Sequence, residues 1–211
     1  SPELNSKLLA IEPNPVSIPG LKKYIDNIWF KNYIILDCAV SNVNTTDSLY
    51  IYKDQKINSF GNHLSGLRSG GNKICDVNVK SLDSIIDSFK NPSKDILIKI
   101  IKIDTEGNDT NVIYGLKRYI DKTKYIIWEC SNCLDDHRGP NETNPMESAI
   151  KYLSNNNFDT YLIGSSKLLK INDNDWNEIY EKSKTNCNCF SLKKNDNIIK
   201  NIINSNYDYK F

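Results

Sequence analysis

Residues 96–109, ILIKIIKIDTEGND, constrain the fold more than any other stretch of the chain. A nearly continuous apolar run rich in β-branched residues stops at Asp104, and Thr105, Glu106, Gly107, Asn108 and Asp109 follow at once. The run is short for a helix and reads as a strand buried on both faces, the kind found in parallel sheets. Lys99 and Lys102 interrupt it, so their stems are expected to carry the ammonium groups to an edge or a loop. Ligands of open α/β sheets bind beyond the carboxyl ends of the strands, and at that end three carboxylates and a glycine gather within six residues. A helical pattern follows through Val112, Ile113, Leu116, Tyr119 and Ile120. Capping that helix accounts for one carboxylate, not for three.

The remaining segments alternate in a related way. Leu8–Ile11 predicts a short strand closed by Glu12 and Pro13, Leu21–Trp29 has helical spacing, and Ile34–Val40 predicts a second buried strand. Ser48–Tyr52 alternates as a strand does. Ser59–Lys73, with four glycines and no apolar period, predicts a loop. Ile74–Val79 predicts a strand and Leu82–Phe89 a short helix. Lys124–Cys130 repeats the apolar strand ending in an acid, Glu129. A polar loop over 131–144 leads into a helix over Pro145–Leu153, with proline in the favoured first position. Phe158–Ile163 and Cys187–Lys193 predict the last strands, with a helix or turn over Trp176–Glu181 between them. This alternation predicts an α/β fold, a mostly parallel sheet wrapped by helices. The length suits a single domain over residues 1–211.

Right-handed crossovers bring parallel strand ends to one edge. Glu12, the Asp37–Ala39 region, Asp104 and Glu129 are then expected on one rim, although acids also follow strands simply because loops are polar. A carboxylate past a strand of a nucleotide-binding fold can accept hydrogen bonds from two ribose hydroxyls, and Glu12 has that position. Asp104 could orient a cationic or amino group of a cofactor or take a proton from an attacking hydroxyl, and Glu106 and Glu129 could do the latter for a substrate. Carboxylates crowded at one rim raise one another's pKa values. A divalent cation between Asp104, Glu106 and Glu129 is chemically permitted, but the spacing does not demand one and no metal is assigned. His63, in the glycine-rich loop, and His137, in the loop over 131–144, are candidates to face a substrate, each weighed against being a solvated loop residue.

A formal net charge of +1 sets up no field calling for nucleic acid or an acidic substrate. No apolar stretch reaches transmembrane length and no signal-peptide pattern opens the chain. A cytoplasmic protein without a membrane partner is expected. Six cysteines do not make a disulfide scaffold in a chain of this size, and Cys38, Cys75 and Cys130 sit in or beside apolar runs as small buried hydrophobes do. Cys130, Cys133, His137, Cys187 and Cys189 lack the paired C-x-x-C spacing of structural zinc.

AIEPNP at Ala10–Pro15, CAVSN at Cys38–Asn42, VKSLDSII at Val79–Ile86, IKIDTEGND at Ile101–Asp109, NVIYGLKRYI at Asn111–Ile120 and IIWEC at Ile126–Cys130 occur in collinear order. Together they resemble the FkbM family of S-adenosylmethionine-dependent methyltransferases, and the segment from Gly164 through Trp176 to NCFSL has the family's look. The resemblance implies a Rossmann-like class I methyltransferase: a mostly parallel sheet, helices on both faces and an antiparallel last strand. It implies S-adenosylmethionine as cofactor and methyl transfer to a hydroxyl of a sugar, glycan or other small molecule, with self-association left open. By position, Glu12 and Pro13 resemble the segment that holds the cofactor ribose, Cys38 and Ala39 the adenine-side backbone, and Asp104 the acid near the methionine end. Asp104, Glu106 and Glu129 become the candidate catalytic acids.

The resemblance also implies a first strand and a D-x-G-x-x-x-G turn ahead of the AIEP strand, whereas Ser1–Lys7 contain no glycine. The expectation is that these elements lie upstream, and that a gap separates the strand ending in Glu12 from the strand ending in Asp104. The competing reading is a catalytically silent module that keeps the fold to bind a partner. Methylation of an RNA ribose is disfavoured by the near-neutral charge and the lack of a basic stripe with stacking aromatics.

Overall fold

A computed structural model describes residues 6–28, 31–51, 62–65, 71–89, 96–130, 146–165, 167–182, 187–197 and 200–201. Their strands form three hydrogen-bonded sheets. β1 (Leu8–Ile11) pairs in parallel with β2 (Tyr33–Leu36). A four-stranded sheet runs β3 (Ala39–Ser41), β6 (Asn72–Ser81), β4 (Thr45–Ile51), β5 (His63–Leu64). A five-stranded sheet runs β10 (Leu168–Lys170), β9 (Phe158–Ile163), β11 (Cys187–Lys193), β8 (Thr123–Cys130), β7 (Ile98–Ile103). The helices are α1 (Ile18–Asn27), α2 (Leu82–Phe89), α3 (Asp109–Tyr114), α4 (Met146–Asn155) and α5 (Ile179–Lys182). None of the described helices is long and apolar enough to cross a membrane.

The fold is α/β, but its sheets are mixed rather than mostly parallel. The parallel pairs are β1–β2, β3–β6 and β7–β8, while β4 runs antiparallel to β5 and β6, and β9 to β10 and β11. The late strand β11 is antiparallel to β8 as well.

Two further departures from the sequence reading have local causes. The strand expected over Ile34–Val40 breaks at Asp37 and Cys38, because Leu36 still pairs with Ile11 of β1 whereas Ala39 pairs with Val79 of β6. One apolar run thus serves two sheets. The helix expected to run through Ile120 stops at Tyr114, and Gly115 caps it. A β-carbon on Gly115 would stand 2.3 Å from the Ser41 carbonyl oxygen, so backbone lies on backbone here and only glycine fits. The chain then turns, with Asp83 accepting the Lys117 and Arg118 amides at 3.1 and 2.9 Å. Leu116, Tyr119 and Ile120 are buried all the same, and that burial produced the helix-like period.

β7 is also not a strand buried on both faces. Of its residues only Ile103 is buried, and Ile100 is 56% exposed. β8 is the strand that pairs with β7, β2 is the strand that pairs with β1, and no ladder joins β1 to β7 among the described residues. An edge strand keeps one side of its backbone and part of its side-chain surface in contact with solvent.

A single apolar core nevertheless unites the β1–β2 pair with the five-stranded sheet. Ile103, Val112, Ile113, Ile126, Trp128 and Phe158 are at its centre, and Leu9, Ile11 and Leu36 pack against it. α4 contributes Met146, Ala149, Ile150 and Leu153, an i, i+3, i+4, i+7 stripe that faces inward. Each large apolar side chain so buried stabilises the fold by roughly 1.5–3 kcal/mol before chain entropy is counted. The indole of Trp128 donates to Ser191 Oγ at 3.1 Å, and Ser191 Oγ pairs with Thr160 Oγ1 at 2.9 Å, so the polar atom of the largest core side chain is satisfied.

Candidate active site

The turn after β7 is built from its own side chains. Asp109 is 1% exposed. Its Oδ1 accepts the Thr105 amide at 3.1 Å and its Oδ2 accepts the Gly107 amide at 3.2 Å. Between them Glu106 adopts φ 54° and Gly107 φ 106°. The left-handed region costs a non-glycine residue on the order of 1–2 kcal/mol, which the bracketing hydrogen bonds offset. Asn108, also buried, donates from Nδ2 to the Val40 carbonyl at 2.7 Å and accepts from Asn111 Nδ2 at 2.8 Å. The turn is therefore fixed at one end by Asp109 and tied to β3 by Asn108.

Asp104 leaves β7 just past Ile103, which is opposite Trp128 of β8, so Asp104 and Glu129 emerge side by side from parallel strands. Glu129 is opposite Asn188 of β11. Lys102, Asp104, Glu129 and Asn188 consequently share one face of the sheet. Lys102 does what its position in an apolar run requires. Its Nζ reaches Asp104 Oδ2 at 3.1 Å, the Ile103 carbonyl at 3.0 Å and Asn188 Oδ1 at 3.2 Å. The Asp104 side chain is 55% exposed, so this ion pair fixes direction more than it adds stability. Glu129 is 9% exposed and Glu106 is half-buried.

Crowding and burial act most strongly on Asp109. Desolvation raises its pKa to about 7, the nearby Glu129 and Asp104 carboxylates add to the rise, and the Thr105 and Gly107 amides oppose it. Asp109 thus shows the elevation by neighbouring acids that crowding at one rim implies, and it is not one of the candidate catalytic acids.

At the end of β1, Glu12 is half-buried, its Oε1 accepts the Asn14 amide at 2.8 Å, and its own amide donates to the Leu36 carbonyl at 3.1 Å. Burial raises its pKa, the Asn14 amide opposes this, and Asp37 at the end of β2 adds to it. Pro13 follows half-buried. The Cys38 side chain is in the main core, where burial pushes the thiol pKa up, and the Ala39 side chain is in a second apolar cluster. Any ligand contact at 38–39 would fall to the backbone. Glu12 is thus bonded to Leu36 at the end of β2, and Val40, four residues further on, is bonded to Asn108 of the turn after β7.

His63 is not a loop side chain facing solvent or substrate. It lies in β5, 2% exposed, stacked on Tyr50 with ring centroids 5.9 Å apart, and its Nδ1 is 3.1 Å from the Leu64 carbonyl. β5 is the far edge of its sheet, three strand spacings from β3, roughly 14 Å at the usual spacing. It is therefore across its sheet from β3, the strand that Asn108 holds. His137, Cys133 and the loop over 131–144 lie outside the described residues, as does most of the loop expected over Ser59–Lys73. Among the described residues no three His, Cys, Asp or Glu side chains converge as a cation requires, and Asp104 faces Lys102 instead.

The sequence reading missed Asn108, Asp109 and Asn188 as builders of the site, and Thr105. Thr105 Oγ1 is buried and has no hydrogen-bond partner among the described residues. A buried hydroxyl left unpaired costs free energy, and one at a strand's carboxyl end is well placed to meet a polar ligand.

The profile of the methyltransferase FkbM domain matches residues 4–160, well over half of the chain. The chain belongs to the FkbM methyltransferase domain family. The matched span includes Glu12 at the end of β1 and the acids at the ends of β7 and β8, Asp104, Glu106, Asp109 and Glu129. A crystal structure of methyltransferase FkbM from Methylobacillus flagellatus KT is similar at 12% identity and a TM-score of 0.49, over 88% of this chain and 36% of that one. The chain thus spans little more than a third of that protein's length. No curated protein matches significantly.

Proposed function

We propose that this FkbM domain is an S-adenosylmethionine-dependent O-methyltransferase, built on a Rossmann-like arrangement of its parallel strands and acting on a hydroxyl of a sugar, glycan or other small molecule. The observation that carries the reading is the rim at the ends of β7 and β8. Two buried carboxyls, Asp109 and Glu129, stand there beside the exposed Asp104 and a buried hydroxyl, Thr105 Oγ1, that has no hydrogen-bond partner among the described residues. That donor set suits a ligand with a cationic centre and several polar groups, and family membership supplies the chemistry.

When bound, S-adenosylmethionine supplies a methyl group on a sulfonium, which passes to the acceptor oxygen. Glu12 would hold the ribose hydroxyls, the Cys38–Ala39 backbone would flank the adenine, and Asp104 with Thr105 Oγ1 would orient the methionine end. Of the three candidate acids Glu129 lies deepest, and a desolvated carboxylate is the better proton acceptor. Glu129 is therefore assigned the proton of the acceptor hydroxyl, with Glu106 shaping the acceptor side from its left-handed turn. Alignment of the reacting groups is the protein's main contribution to such a transfer.

Calorimetric titration of S-adenosylmethionine into the full chain tests the reading. Binding by the native protein, lost in Glu12→Ala while the melting temperature holds, supports it. Absence of binding by the folded native protein would favour the catalytically silent module.

A further inference from the structure

Asp109 stands outside the residues assigned to cofactor or acceptor, and it is not a helix cap. Its oxygens reach backwards, to the amides of residues 105 and 107, whereas a capping side chain reaches forward into the first turn of its helix. The N-cap position of α3 belongs to Asn108, whose side chain makes no cap hydrogen bond and is spent on Val40 and Asn111 instead. A buried carboxyl aimed at two amides of the preceding turn is an organiser of that turn.

We propose that Asp109 is the positioning residue of the rim, bracketing residues 105–107 so that Glu106 is held left-handed between Asp104 and Asn108, and that the protonation state of its carboxyl sets how firmly the bracket grips. The effect on cofactor binding rests on the methyltransferase reading; the bracket itself does not. Three features carry the argument. Glu106 has φ 54° and no intrinsic reason to keep it, so the conformation needs an external hold. The far side of the turn is anchored on β3 by Asn108, so releasing Asp109 frees the middle of a segment pinned at both ends. Among the described residues, the charged groups that act on Asp109 are Glu129 from β8 and Asp104 from the end of β7, both acidic.

Burial and these neighbours bring the carboxyl's titration to about pH 7. The ionised form accepts both amides through charge-assisted bonds, which are roughly twice as strong as neutral ones. The protonated form grips more weakly. The turn that presents Asp104, Thr105 and Glu106 is therefore tightest on the alkaline side of neutrality, where a cationic ligand is also best received.

The experiment reads the amide resonances of Thr105 and Gly107 without cofactor, from about pH 5 to about pH 9. Both are expected to titrate with a midpoint near 7, and neither should do so in Asp109→Asn. Flat amide shifts in the native protein, or a titration that survives in Asp109→Asn, overturn the proposal; the native measurement decides even if the variant does not fold. Calorimetry with S-adenosylmethionine then follows. Native affinity should strengthen as pH rises through neutrality, and Asp109→Asn should bind about tenfold more weakly, the loss of one charge-assisted bond, with no pH dependence. Titrating amides in a native protein that binds no cofactor would remove the methyltransferase reading and leave the bracket standing. Cofactor binding with unresponsive amides would do the reverse.

Discussion

Asn108 Nδ2 donates to the carbonyl of Val40 at 2.7 Å, joining the turn after β7 to β3 across 68 residues of sequence. Both partners are buried. The bond links the four-stranded and five-stranded sheets at the rim where the carboxylates gather. Asn108→Ala removes the donor of a buried hydrogen bond, which costs about 1–3 kcal/mol. Denaturant unfolding should report that loss as a lower midpoint with an unchanged slope. Asn108 also opens an N-x-T sequon, and its burial keeps that side chain from an attached glycan. A surface-like change, below about 0.5 kcal/mol, would show that the bond does not tie the sheets.

Gly115 and Gly20 make a matched pair. A β-carbon at Gly115 would collide with the Ser41 carbonyl oxygen at 2.3 Å, while one at Gly20, inside α1, meets nothing within 4 Å. Gly115→Ala is expected to destabilise by about 1–3 kcal/mol, the usual cost of forcing atoms into filled space. Gly20→Ala is expected to stabilise by up to about 1 kcal/mol, the helix preference of alanine over glycine. Thermal melts of the two variants should therefore move in opposite directions.

Much of the element order could be read from the residues because burial and backbone period agreed. Leu8–Ile11, Leu82–Phe89, Phe158–Ile163 and Cys187–Lys193 appear where their patterns put them. The reading failed where one pattern had two causes. Leu116, Tyr119 and Ile120 are spaced like a helix face but reach the core from a turn, because the close approach of Gly115 to Ser41 is invisible in an apolar period. Ile34–Val40 is one apolar run because both of its halves are partly or wholly buried, and nothing local records that they join different sheets. At the site, Asp104, Glu106 and Glu129 stood out as acids at strand ends. Asn108 did not, since a chain so rich in asparagine hides the one whose amide joins two sheets. Asp109 stood out only as one of three carboxylates past the strand, because the direction of its hydrogen bonds is a property of the folded turn.

Asp109 also fixes a sign for stability against pH. Its pKa is raised from 3.8 to about 7 on folding. Between those values the folded chain holds a proton that the unfolded chain has lost, so stability contributed by this group falls as pH rises from about 4 to about 7. Asp159 acts oppositely. Although burial pushes its pKa up, Lys200 and Lys170 outweigh this and hold it below 3.8, so its contribution is present above that value and is lost as the solution is acidified further. The difference in melting temperature between native protein and Asp109→Asn should therefore change across the range from about 4 to about 7 and stay constant above it. A difference that is constant across that range would contradict the assignment.

His63 and Glu12 separate stability from ligand binding. The His63 ring is packed on Tyr50 at the far edge of the four-stranded sheet, and a β-carbon on Gly71 would come within 3.4 Å of its Nε2. His63→Ala deletes a packed ring and should destabilise by about 1–3 kcal/mol while leaving the affinity for S-adenosylmethionine unchanged, because the ring sits in β5 at the far edge of the four-stranded sheet. Glu12→Ala has the opposite profile. The carboxylate is half-buried with a raised pKa, dominated by desolvation, so removing it relieves an unfavourable burial and forfeits one bond to the Asn14 amide, leaving stability within about 0.5 kcal/mol. With the ribose placed on Glu12 as proposed, its loss should instead weaken cofactor binding by about tenfold or more. Melting curves and calorimetry on the same two variants test both halves, and the placement of the cofactor along the Glu12–Asp104 rim fails if His63→Ala, not Glu12→Ala, is the one that weakens binding.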